Sequence, residues 1–212
     1  MAHESEPGFL VLHALRLKGF AEAPALAGAI GVPVEEIEGH LADLAGRELA
    51  LRRDGRVSGW QLTPAGKVAD AAAVAEEIER SAGRAIVDGA YRRFLDLNGD
   101  ILRVCTAWQM RDQAGRQVVN DHGDAAYDLE VVGRLAAIHE RALPVTDDLG
   151  ACLARFGRYG DRLGAALERV QAGEGEWFTK PVLDSYHTVW FELHEDLLST
   201  LSLERSTEAQ VG

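Results

Sequence analysis

Trp60-Gln61-Leu62-Thr63-Pro64-Ala65-Gly66-Lys67 is the stretch whose reading decides the fold of this 212-residue chain. Trp60 to Thr63 alternates apolar and polar side chains, the period of a half-buried strand. Thr63 is a good helix cap, and Pro64 suits a first helical position. A strand therefore runs directly into a helix. Just upstream, Leu49-Ala50-Leu51-Arg52-Arg53 reads as a second strand. Asp54-Gly55-Arg56-Val57-Ser58-Gly59 between the two carries an Asp-Gly turn signal, so the three pieces predict a hairpin. Further upstream the period becomes helical. Phe9 to Lys18 has an apolar face of Phe9, Leu10, Leu12, His13, Leu15 and Leu17, and stops at Gly19. Pro24 to Ile30 is a short Ala/Leu helix, and Gly31-Val32-Pro33 is a tight turn. From Val34 to Arg47, Ile37, Leu41 and Leu44 make one stripe, while Glu35, Glu36 and Glu38 lie in the first turns, where the helix dipole favours carboxylates.

This order, together with Ala25-Leu26-Ala27-Gly28-Ala29-Ile30-Gly31-Val32, the segment Val34 to Leu44 and the string Trp60 to Lys67, resembles the winged helix-turn-helix transcriptional regulators, the MarR-like group in particular. The resemblance covers about a third of the chain. It implies a homodimer with the third helix in the major groove of double-stranded DNA and the hairpin wing on the backbone. The expected fold class is mainly α: a winged helix of three helices plus a two- or three-stranded hairpin over residues 1–80, an all-α helical bundle over 81–205, and a flexible tail over 206–212. The bundle would dimerise, bind a small-molecule effector, or both.

Charge opposes this reading. The net charge is −12, and residues 1–80 hold 8 Lys/Arg against 13 Asp/Glu. Phosphate contacts need a local basic patch. The candidates are Arg47 at the end of the third helix, Arg52, Arg53 and Arg56 around the wing, and Lys67 after it, with His40 near base edges. The third helix otherwise offers Glu35, Glu36, Glu38, Gly39 and Asp43. A winged helix that has left DNA and serves as scaffold or protein contact is the competing reading.

Downstream, the patterns predict a fourth helix running to about Val87 and a helix from Asp88 to Met110 with a possible break at Asn98-Gly99-Asp100. A loop follows from Arg111 to Asp124, then a helix capped by Asp124 and running to about Leu143, with Pro144 ending it or starting the next. Gly157-Arg158-Tyr159-Gly160 should interrupt a helix that begins at Val145. A last long helix should start near Lys180-Pro181. On that helix Asp184, His187, Phe191 and His194 would share one stripe, and Tyr186 and Trp190 its neighbour. Three readings stay open: a satisfied core; an effector pocket lined by Trp108, Asp184, Tyr186, His187, Trp190 and His194; or a divalent-metal site of Asp184, His187 and His194 with His122 or Asp121 from the preceding loop. The metal or catalytic reading makes the chain an enzyme or metal-dependent protein with its site in the later helices and a winged helix that serves as a scaffold and no longer binds DNA. Glu192, Glu195 and Asp196 read as an exposed acidic face.

Other classes are excluded or disfavoured. No GxGxxG, GxxxxGK[ST] or GxSxG string is present, so no nucleotide cofactor and no serine-hydrolase elbow are expected. No apolar run reaches about 18 residues. The first residues carry no basic stretch ahead of an apolar core, so a cytoplasmic protein with Cys105 and Cys152 as thiols is expected.

Overall fold

The computed structural model describes residues 2–113 and 115–203; the expected tail at 206–212 lies outside them. Three helices come first, α1 (Pro7–Lys18), α2 (Ala23–Ile30) and α3 (Val34–Gly46). Strands β1 (Ala50–Arg53) and β2 (Gly59–Leu62) follow, and then α4 (Pro64–Ser81). Thr63 makes the corner between β2 and α4. Its hydroxyl accepts the Gly66 amide at 3.0 Å and donates to the Glu48 carbonyl at 2.8 Å, while its own amide donates to the Leu49 carbonyl at 3.0 Å. Gly66 is dictated by the same corner, since a Cβ there would lie 2.0 Å from the Leu49 carbonyl oxygen. The Leu-Thr-Pro-x-Gly string is thus a cap, a pre-set first turn and a close approach in five residues.

β1 and β2 pair antiparallel, Ala50 opposite Leu62 and Arg53 opposite Gly59. A further rung comes from the α1–α2 connection: the Ala21 amide donates to Trp60 at 3.0 Å and the Trp60 amide to Ala21 at 2.8 Å. Behind the hairpin, Val11, Leu15, Leu26, Ile37, Leu41, Ala50 and Leu62 form one buried cluster. The α3 stripe read from the sequence, Ile37, Leu41 and Leu44, belongs to it.

The second cluster runs from Ile78 to Leu201. Its elements are α5 (Arg84–Gln109), β3 (Met110–Gln113), β4 (Arg116–Val119), α6 (Ala125–Cys152), a single 3-10 turn at Ala154–Phe156, α7 (Gly157–Gln171), α8 (Glu176–Thr179) and α9 (Tyr186–Leu201). The described residues are mainly helical with two small antiparallel hairpins. Among the described residues no helix is long and apolar enough to cross a membrane.

Several sequence expectations need correction here. The fourth helix stops at Ser81, where Ala82 takes a left-handed backbone (φ 51°), not at Val87. No break occurs at Asn98-Gly99-Asp100: α5 runs through, and Asn98 accepts the Trp190 indole N–H at 3.0 Å. The supposed loop after Arg111 holds the β3–β4 hairpin, with Met110 opposite Val119. Pro144 sits inside α6. The break expected at Gly157–Gly160 falls instead at Leu153–Phe156, and α7 begins at Gly157. The last helix starts at Tyr186, capped by Ser185, whose hydroxyl accepts the Thr188 amide at 3.3 Å.

Candidate functional site

Two parts of the molecule gather chemistry: the β1–β2 hairpin with α3, and the seam between the first elements and the later helices. On the hairpin, Arg52, Arg53 and Arg56 are exposed, as are Arg47 and Lys67 beside it. Arg47 is held by Asp43 at 3.1 Å and Arg52 by Asp54 at 2.9 Å, both in solvent. Such exposed pairs contribute little and exchange readily for another anion. Arg53, Arg56 and Lys67 have no partner among the described residues. The outer face of α3 presents Glu35, Glu36, Glu38 and Asp43 to solvent. His40 is half-buried, its Nε2 lying 3.8 Å from Glu36.

The proposed lining residues of the last helix do not form one site. Asp184 precedes the helix and is held by Lys18 at 3.2 Å and by Arg162 at 3.1 Å. Burial opposes its charge, but Arg162 and Lys18 outweigh this and keep its carboxyl below the usual range. His187 is half-buried, and burial lowers its pKa. His194 is packed against Phe94, 5.0 Å between ring centres. Tyr186 and Trp190 lie inside the core, Trp190 stacked on Phe94 at 4.6 Å. Of the predicted lining only Trp108 reaches a cleft wall, far along the chain from the others. Among the described residues no group of three or more His, Cys, Asp or Glu could hold a metal ion, so Asp184, His187 and His194 with Asp121 or His122 are not brought together in one.

The expected exposed acidic face of α9 is also overturned. Glu192 and Asp196 are buried, 6% and 2% exposed, and they are the hub of a charged seam. His13 on α1 donates from Nδ1 to Asp70 on α4 at 2.9 Å and from Nε2 to Asp196 at 3.2 Å. Both nitrogens face carboxylates, so the ring is an imidazolium. Burial alone would depress it, but Asp196 and Asp70 outweigh burial and hold its pKa at about 9. Arg155 bonds Glu77 on α4 at 2.7 Å and also bonds Asp196. The Tyr159 hydroxyl donates to Asp196 at 2.9 Å. Burial would raise the Asp196 carboxyl, but Arg155 and His13 prevail and keep it well below the usual range. Beside this group, Lys18 and Arg162 both grip Glu192, at 2.7 and 2.6 Å. No sequence spacing announces any of these pairings. Their one visible trace was His13 on an otherwise apolar helix face.

Two backbone joints reinforce the seam. Arg158 of α7 donates from Nε to the Ala29 carbonyl at 3.3 Å, capping the end of α2. His3 runs parallel to Leu153, its amide donating to Cys152 at 2.9 Å while Ala154 donates back to His3 at 3.0 Å. Comparison with known proteins found no matching family, no similar curated protein and no similar solved structure.

Proposed function

We propose that this chain is a DNA-binding transcriptional regulator, its first elements forming a winged helix and its later helices a bundle that carries dimerisation. The observation that carries the reading is the hairpin: three exposed arginines, two of them unpaired, beside a three-helix unit whose α1–α2 connection adds a rung at Ala21. Contact is led by the wing and the backbone. Arg52, Arg53 and Arg56 meet phosphates, with Arg47 and Lys67 flanking, and the carboxylates of α3 limit how closely that helix enters the groove. Sequence discrimination by this protein is therefore modest.

Fluorescence anisotropy of a labelled duplex library at two or more salt concentrations tests this. About four to five phosphate contacts give a slope of log affinity against log salt near −4. Replacing Arg53 and Arg56 together by Ala should reduce that slope by about 2. The acidic α3 face specifically favours a second reading, a winged helix used as a protein contact. That reading predicts no DNA affinity at any salt, and such a result would remove the first.

A further inference from the structure

A cleft of about 950 Å³ opens between the end of α5, the turn before α6, α6 itself and the α7–α8 connection. Its wall includes Trp108, His122, Leu129, Val132, Gly133 and Lys180. One residue of this wall is elaborately held. His122 has a left-handed backbone (φ 56°), unusual outside glycine and a mark of a position fixed by its surroundings. Asn120, only 4% exposed, does the fixing: its carbonyl accepts the His122 amide at 3.2 Å, and its amide group donates to the Trp108 carbonyl at 3.1 Å and to Asp128 at 2.8 Å. Asp128 in turn accepts from the His122 ring at Nδ1, 2.9 Å away. A carboxylate only accepts, so Nδ1 carries the proton, and the ring in its neutral form presents a lone pair at Nε2. Nε2 has no partner among the described residues.

The ring also ends a row of aromatic rings, tilted by 41° to Trp108, which is itself stacked on Phe178. Phe178 lies on Trp108 at 4.6 Å, and Trp108 lies against His122 at 4.4 Å. The His122 side chain is still 43% exposed. Leu129, 73% exposed, and Val132 supply apolar surface beside it. The lining has no surplus of positive charge. Lys180 is held by Glu176 at 2.5 Å, and Asp128 is a second carboxylate in the wall.

We propose that this cleft binds an uncharged planar aromatic molecule bearing one O–H or N–H donor. The ring packs beside the Phe178–Trp108–His122 row, the donor meets the His122 Nε2 lone pair, and Leu129 and Val132 cover the ring's edge. Calling the ligand an effector rests on the regulator reading above; the binding itself does not. An anion is disfavoured because both carboxylates of the wall would repel it and its natural partner is occupied.

The test is calorimetric titration of the purified chain, without DNA, with 2-naphthol, naphthalene and 2-naphthoate, each up to about 1 mM as solubility allows. 2-Naphthol should bind at least about tenfold more tightly than either of the others, the equivalent of one hydrogen bond. His122→Phe keeps a ring but removes the acceptor, and should erase the preference of 2-naphthol over naphthalene. Gly133→Phe should abolish binding of both. A Cβ at Gly133 meets nothing within 4 Å, so the new side chain enters open space, and unchanged circular dichroism and melting confirm the fold. No binding of 2-naphthol, binding indifferent to Gly133→Phe, or tighter binding of 2-naphthoate would each overturn the proposal. Because DNA is absent from the titration, a failure here leaves the DNA-binding result standing, and the converse also holds.

Discussion

Raising the pH from 6 to 9 removes stability that His13 supplies. Unfolded, the ring titrates near 6.5; folded, it is held at about 9 between Asp196 and Asp70. The folded state thus binds the proton more tightly. The stabilisation is complete below 6.5 and is lost as the pH climbs through 9. Integrating over pH 6 to 9 gives a loss of about 3 kcal/mol, since each pKa unit is about 1.4 kcal/mol. Asp196, held low, works at the other end: its contribution is present above its ordinary value near 3.8 and fades in acid. Urea denaturation across pH 5.5 to 9.5 reads the effect. With a slope of about 2–3 kcal/mol per molar urea for a chain of this size, the midpoint should fall by about 1–1.5 M. His139 and His187, whose pKa values burial lowers, act in the opposite sense below 6.5. A His13→Gln variant cancels them. It should be weaker than the parent at pH 6 and should lose much less on going to pH 9. Parallel pH profiles for parent and variant would refute the assignment of His13 as a buried imidazolium.

Other outcomes follow from the same packing. Gly31→Ala should destabilise by about 1–2 kcal/mol in urea melts, because position 31 has φ 75° and its Cβ would press on the Arg158 guanidinium that caps α2. Arg155→Met should cost about 3–5 kcal/mol by leaving Glu77 and Asp196 buried without their shared cation, measured by the same melts. A thiol reagent at pH 8 should label half-exposed Cys152 in the native protein. It should reach Cys105 only on unfolding, since burial raises the Cys105 thiol to about 12; equal labelling rates would contradict this.

What could be read from the sequence was local. The α3 stripe, the Thr63 corner and the Asp124 cap all depend on neighbours within a few residues, so their signatures are contiguous. The β3–β4 hairpin escaped because neither face is buried: its eight residues are intermediate or exposed, leaving no apolar alternation to see. Its remaining clue was Gly115, at φ 80° in the turn. Pro144 misled because a proline need not end a helix that is packed on neighbours; nearby, Thr146 donates its hydroxyl back to the Leu143 carbonyl at 3.0 Å. The site was harder still. His13 meets Asp196 across 183 positions and Lys18 meets Glu192 across 174, distances at which no spacing rule operates. The stripe Asp184, His187, His194 assumed a helix through residue 184; Ser185 caps one after it.

Arg158 and His3 together decide what can be cut from this protein. A fragment ending near residue 80 would leave the Gly28 and Ala29 carbonyls of α2 without their guanidinium, and Asp70 and Glu77 without Arg155 and Asp196 around them. Transplanting the first eighty residues onto another body would therefore carry a surface of unmatched charge with them. The reverse graft, a foreign unit placed on these later helices, would have to bring its own histidine and lysine to positions 13 and 18. The unit of exchange in this molecule is the whole chain.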